Sequence, residues 1–397
     1  MTDNQRSNYR WYILALAALT HLFVVGIQTM CMPVLFSEIA ADLGLSLVQL
    51  GTIWGMIALS GALTGLLGGL ISDRYGTKRT LGVSCLLAGL TGALRGLSDS
   101  FIGLSATVFV FGFVLMAISL NAHKTASVWF RGQQVVIANG IISTGIALGF
   151  VVGAMISDTI MSPLLGGWQN VFFLYGAISM VFGLLWFATK RAPVQDGATS
   201  TTGTVLLRQA LTRAVQLKNV WLLAASQLCY IGCIHGLTGY LPLYLRGIGW
   251  TAASADGTLA ALNLAGMLAA IPLTLVAARS GSRKTILTAS LLVTLISAGL
   301  LSIVDGTVIW LLAILIGLFR DGYIAILVTM TTELKGIGAI YAGTAVGLVF
   351  SFADIGGVIS SPLGNSLASI DPGLPFAFWA ALTVVALVLL RFVKEVK

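Results

Sequence analysis

The sequence predicts an all-α integral membrane protein with twelve transmembrane helices, and three observations carry that prediction. Of its 397 residues, 57% are hydrophobic and only 9% are charged, against about 25% in a soluble domain, so the chain cannot clothe itself in polar surface. Apolar runs close to the length that crosses a bilayer core recur from end to end. The basic residues fall mainly in alternate connections, and that asymmetry holds only if the count of spans is right.

Taken in order, the spans are expected near 11–36, 48–72, 80–97, 101–122, 134–157, 168–188, 219–244, 254–278, 285–303, 307–332, 338–361 and 374–392. Inside hydrocarbon each must bond its own backbone, so each reads as a helix. The first run is too long for a cleaved leader and is taken as the first span. With twelve spans, 19 of the 22 basic residues lie on one side, together with both termini. That side is predicted to be cytoplasmic. Arg95 and Arg246 fall on the other side, and Arg320 lies within a span. The net charge of +8 therefore belongs to membrane orientation and gives no reason to expect nucleic acid. Cys31, Cys85, Cys229 and Cys233 all fall in spans and read as small packing residues; no ligand spacing suggests a metal.

Residues 190–218 form the one long polar connection, with a Ser/Thr/Gly run from Thr199 to Thr204 and a short amphipathic helix from Val205 to Val215. They divide the chain into a six-helix bundle over 1–189 and another over 219–397. The halves repeat. Leu70 to Thr80 aligns with Leu275 to Thr285, and the stretch from Ile137 through Gly153 and Ser157 aligns with that from Ile340 through Gly356 and Ser360. Glycines recur four apart at Gly61-Gly65-Gly69, Gly145-Gly149-Gly153 and Gly343-Gly347, a spacing that lets helix backbones approach.

The charged loop Gly69-Leu-Ile-Ser-Asp73-Arg74-Tyr-Gly76-Thr-Lys78-Arg79 resembles the loop between the second and third helices of the major facilitator superfamily, G-x-L-a-D-r-x-G-r-k-r. The resemblance implies two six-helix bundles related by pseudo-twofold symmetry, a central cavity lined by spans 1, 4, 7 and 10, and transport by alternating access. It implies a conformational latch built from Gly69, Asp73, Arg74, Gly76, Lys78 and Arg79. The second copy has Ala278 where Asp73 stands, so its latch should be weaker. Trp129-Phe130-Arg131 followed by Ala138-Asn139-Gly140 is similar to a stretch in the anion-transporting branches, although Gln133 and Gln134 replace a usual charged pair. The fifth span lacks the proline expected of drug–proton antiporters.

Charge inside a membrane is expensive, so the exceptions mark function. Arg320, a planar fork suited to carboxylates, is the expected anion-binding residue. Tyr323 on the same span, His21 and Gln28 on the first, Asn121 on the fourth and Tyr230 on the seventh are expected to complete the pocket, with Gln227 a further polar candidate. Asp321, Asp354 or His21 would carry a proton. Successive residues of a helix diverge by about 100°, so Asp321 is expected to face span 11 while Arg320 and Tyr323 face the cavity.

The reading is a proton-coupled symporter of a small organic anion, a carboxylate above all. The alternative is a proton-coupled exporter of cationic or amphipathic compounds; a third class is a non-transporting sensor. No nucleotide loop or nucleophile–base pattern occurs, so neither enzyme activity nor a cofactor is expected. The expected partners are the substrate, a proton and lipid; the expected form is a monomer in a prokaryotic inner membrane.

Overall fold

The computed structural model describes residues 3–64, 76–190, 212, 215–280, 282–334 and 338–393. Over these it is helical with no strand. The first helix, α1, runs through Asp3–Thr20, a π-helical segment His21–Gly26 and Ile27–Leu43. Next come α2 (Leu47–Thr64), α3 (Thr77–Arg95) and α4 (Phe101–Trp129). Helix α5 (Gln133–Ile156) continues through π turns Ser157–Met161 into Ser162–Leu165. Then follow α6 (Trp168–Ala188), α7 (Lys218–Gly247), α8 (Ala252–Ser280), α9 (Arg283–Leu301), α10 (Val308–Thr332), α11 (Gly338–Leu367) and α12 (Leu374–Arg391). Eleven are long and apolar enough to cross a membrane. Helix α3 falls outside that count because Lys78, Arg79 and Arg95 sit at its ends.

Local signals explain the breaks. Ser100 and Ser282 cap α4 and α9, their hydroxyls accepting from Gly103 N and Thr285 N, both at 3.3 Å. Gly166 and Gly167, at φ 81° and 130°, separate α5 from α6. Arg246 pairs with Asp256 at 2.6 Å, tying the end of α7 to the start of α8.

The chain forms two compact units. One contains α1 and α3–α6; the other contains α2 and α7–α12. Within the first unit, α1 meets α5 along a seam of glycines. A Cβ on Gly149 would lie 2.5 Å from the Leu22 carbonyl oxygen, and one on Gly26 would lie 2.6 Å from that of Ile146. Nothing larger than hydrogen fits, and the backbones touch. Lipid supplies no hydrophobic drive between helices, so such contact holds them. In the second unit Gly232 and Gly356 do the same for α7 and α11. There α2 is clasped to α7: Trp54 Nε1 donates to the His235 carbonyl at 2.8 Å, and His235 Nε2 lies 3.1 Å from the Trp54 carbonyl. The two rings stack at 4.7 Å. All four cysteines are buried and free.

Candidate functional site

In the second unit α10 carries Arg320 into a buried position between α8 and α7. Its Nε donates to Asp321 Oδ1 at 2.7 Å and its Nη2 to Oδ2 at 3.2 Å. Nη1 donates to Asn263 Oδ1 at 2.9 Å, and Asn263 is itself held by donating to the Leu259 carbonyl at 2.9 Å. A guanidinium has five N–H donors; these three bonds leave two for another acceptor. Asp321 reaches Arg320 because the long arginine stem folds back along the helix. The carboxylate lies against α8, where a Cβ on Gly266 would sit 2.6 Å from Oδ2. The expectation that Asp321 faces span 11 is therefore corrected. The small residue on α8 opens the space, and the bidentate fork outweighs the divergence of neighbouring side chains.

Around this pair the polar groups are underused. Tyr230 and Tyr323 rings lie 4.0 Å apart, with the Tyr230 hydroxyl turned towards Thr294 and the Tyr323 hydroxyl towards Ser226. The Gln227 amide is fully buried with neither oxygen nor nitrogen bonded. Leaving such a group unpaired costs about 1–3 kcal/mol. Both tyrosines belong to the apolar cluster inside the second unit. Asp354, half-buried on α11, has no ion pair or hydrogen bond among the described residues.

The first unit holds a second polar group. His21 opens the π segment of α1, and its Nδ1 lies 3.2 Å from the Ile142 carbonyl on α5. Its Nε2 is buried without a partner. The His123 ring stands 5.3 Å away, edge to face, and its Nδ1 lies 3.0 Å from Asn139 Oδ1. Asn121 is buried on α4, its Nδ2 donating to the Ala117 carbonyl at 2.7 Å and its Oδ1 unpaired.

Gln28 stands apart from these groups. Its Nε2 donates to the Tyr175 carbonyl at 3.0 Å and to Ser179 Oγ, and its Oε1 accepts from Arg95 Nη2 at 3.1 Å. Every polar atom is occupied, so Gln28 is a packing node. Arg95, placed by the charge count at an outer boundary, is fully buried. It lies between the Phe111 and Phe172 rings, 3.9 and 4.5 Å from their centroids. Counting charges by side carries no information on burial within the protein.

Of the latch residues, Gly69, Asp73 and Arg74 lie outside the described residues. Gly76 turns at φ 78° ahead of α3. Lys78 donates to the Thr189 carbonyl at the end of α6, as Lys284 does to Arg391 and Val393 carbonyls after α12, both at 2.8 Å. Arg79 is exposed. Among the described residues no cluster could hold a metal.

These features define a polytopic helical membrane protein with a buried guanidinium and few other intramembrane charges. The sequence profile described as Major Facilitator Superfamily matches residues 17–342, and the chain belongs to that family. It is similar to the hexuronate transporter of Bacillus subtilis (strain 168), 29% identical over 39% of this chain and 36% of that one. It is also similar to the probable sulfoacetate transporter SauU of Cupriavidus necator, 27% identical over 61% of this chain and 58% of that one. The chain thus matches between about a third and three-fifths of these relatives' lengths. A solved structure of a mutant nucleoside transporter NupG shares the fold, with a TM-score of 0.80 over 96% of this chain and 100% of that one at 14% identity. The family and these relatives are transporters, not enzymes.

Proposed function

We propose that this chain is a secondary transporter of a small organic anion, a carboxylate above all, moved together with a proton. The carrying observation is Arg320: buried, fixed by Asp321 and Asn263, with two N–H groups still to give. A carboxylate suits that fork, and it competes with Asp321 for the same cation. The buried, unpaired Gln227 amide on the same helix as Tyr230 favours a substrate with further polar atoms over a purely apolar acid. Both relatives reported above are named for anions, which agrees with this choice. His21 and Asn121 are also proposed as substrate-binding residues, and Asp321, Asp354 and His21 are the proposed proton acceptors. The basic side of the chain is proposed to face the cytoplasm of a prokaryotic inner membrane, with the protein acting as a monomer.

The test is uptake of a panel of small carboxylates by proteoliposomes under an inward proton gradient. Arg320→Ala removes charged hydrogen bonds of about 1.5–3 kcal/mol, so uptake falls by at least about tenfold. Uptake that survives the substitution assigns Arg320 to a structural pair. Efflux of cationic dyes without carboxylate uptake replaces the reading with the exporter.

A further inference from the structure

The transport reading leaves open which group takes the proton, and the following assignment rests on that reading. We propose that His21 and His123 act as one proton-carrying unit, its tautomers set by the Ile142 carbonyl and by Asn139. The four groups come from three helices: His21 from α1, His123 from α4, and Asn139 and Ile142 from α5.

Tautomer logic gives the unit its chemistry. A carbonyl oxygen only accepts, so the His21 nitrogen 3.2 Å from Ile142 O carries hydrogen, and Nε2 carries the lone pair. That Nε2 is buried and unpaired. His123 is fixed the same way by the amide oxygen of Asn139 at 3.0 Å. The neutral pair therefore presents two basic ring nitrogens, their rings 5.3 Å apart. Two imidazolium charges at that separation in a poorly polarisable medium repel strongly. The pair accepts one proton, not two.

Among the described residues the surroundings offer that proton no carboxylate. On α4, Lys124 follows His123 directly. On α5 the facing groups are Asn139 and the Ile142 carbonyl, both neutral. Helix α6 brings Trp186, which donates to Thr20 Oγ1 at 3.0 Å, and Phe182, stacked on Phe23. Helix α3 brings Cys85 to the same apolar cluster. No carboxylate is among them. A proton here is a mobile charge rather than half of a fixed ion pair, whereas Asp321 is already bound to Arg320.

The geometry around His21 also suits a group that must change state. It begins the π segment His21–Gly26, and π turns inside α-helices gather at functional sites. The glycine seam holds α5 against that segment, with a Cβ on Gly145 excluded by the Ala18 backbone. The bond from His21 to Ile142 thus reports the registry of α1 and α5.

The chain has three histidines, so ring-¹⁵N-labelled protein in lipid nanodiscs gives three resolvable imidazoles. The expected result is that His21 and His123 titrate as a coupled pair. The His21 midpoint shifts in His123→Gln, and the His123 midpoint shifts in His21→Gln. The His235 signal stays in place and reports that each variant is folded. Midpoints for His21 and His123 that ignore each other's replacement overturn the proposal. A second arm uses proteoliposomes and an organic acid that the wild type accumulates. The ratio of gradient-driven accumulation to counterflow falls on the order of tenfold in the His21→Gln/His123→Gln variant. An unchanged ratio there, with loss in Asp354→Asn, overturns the proposal and moves the proton to α11. Wild-type protein that moves no organic acid defeats the transport reading, while the ring titration still decides whether the pair shares a proton.

Discussion

Asp321 and Arg320 should be unequal partners, and the inequality can be worked from their exposure and chemistry. The Arg320 side chain is 7% exposed and that of Asp321 is 25% exposed. Removing one member of a buried pair costs about 3–5 kcal/mol because it strands the other. Arg320→Met strands a carboxylate that is only partly buried and can neutralise itself by taking a proton. Asp321→Ala strands a guanidinium that cannot lose its charge, with Asn263 Oδ1 the one remaining acceptor among the described residues. Asp321→Ala is therefore expected to destabilise by about 3–5 kcal/mol, and Arg320→Met by roughly half as much. The double variant removes both charges and should return to within about 1–2 kcal/mol of the wild type. Reversible unfolding in mixed detergent micelles measures all three. Equal single effects, or a double variant whose loss is the sum of the singles, would refute the reasoning that these side chains are coupled and unequally able to shed charge.

Three further outcomes are expected. Gly149→Ala forces a methyl against the Leu22 carbonyl and should lower stability by about 1–3 kcal/mol. Gly140→Ala on the same helix meets nothing within 4 Å and should raise it by up to about 1 kcal/mol; thermal melts of the two should move in opposite directions. Arg95→Lys loses the planar contact with Phe111 and Phe172 and the fork onto Gln28, and should cost at least about 2 kcal/mol. Gln28→Ala should reproduce much of that loss, and a full-sized effect from only one of them would separate the two residues. Trp54→Phe keeps an aromatic ring, though a smaller one, and removes the donor to His235 O, so it should lower the melting temperature by an amount equivalent to about 1–3 kcal/mol; no change would mean that the donor adds nothing to the clasp.

The helical membrane fold was legible because bilayer thickness writes itself into run length. Arg320 and Asp321 were legible as residues because charge within a span has few innocent explanations. Their joint geometry was not, since it depends on Gly266 and Asn263 of α8, neutral residues whose meaning appears only when α10 packs on them. The burial of Arg95 was not legible for a related reason. A side-counting rule sees where the backbone leaves the membrane, while the arginine stem carries its head into a slot between two phenyl rings. Gln28 read as a polar group available to a ligand, yet a helix face says nothing of how many neighbours it already serves. His21 was identified from its position in a span, but the π segment and the approach of His123 have no pattern in composition or period.

The contact map of the glycines also tells an experimenter where the chain will accept a reporter. Gly140, Gly247 and Gly343 adopt ordinary backbone angles and face open space. All four native cysteines are buried. A single cysteine introduced at one of these three positions should take a spin label or dye selectively, without first stripping the natural thiols. The seam glycines are the opposite case: a probe at Gly149 or Gly356 would measure only the damage it causes.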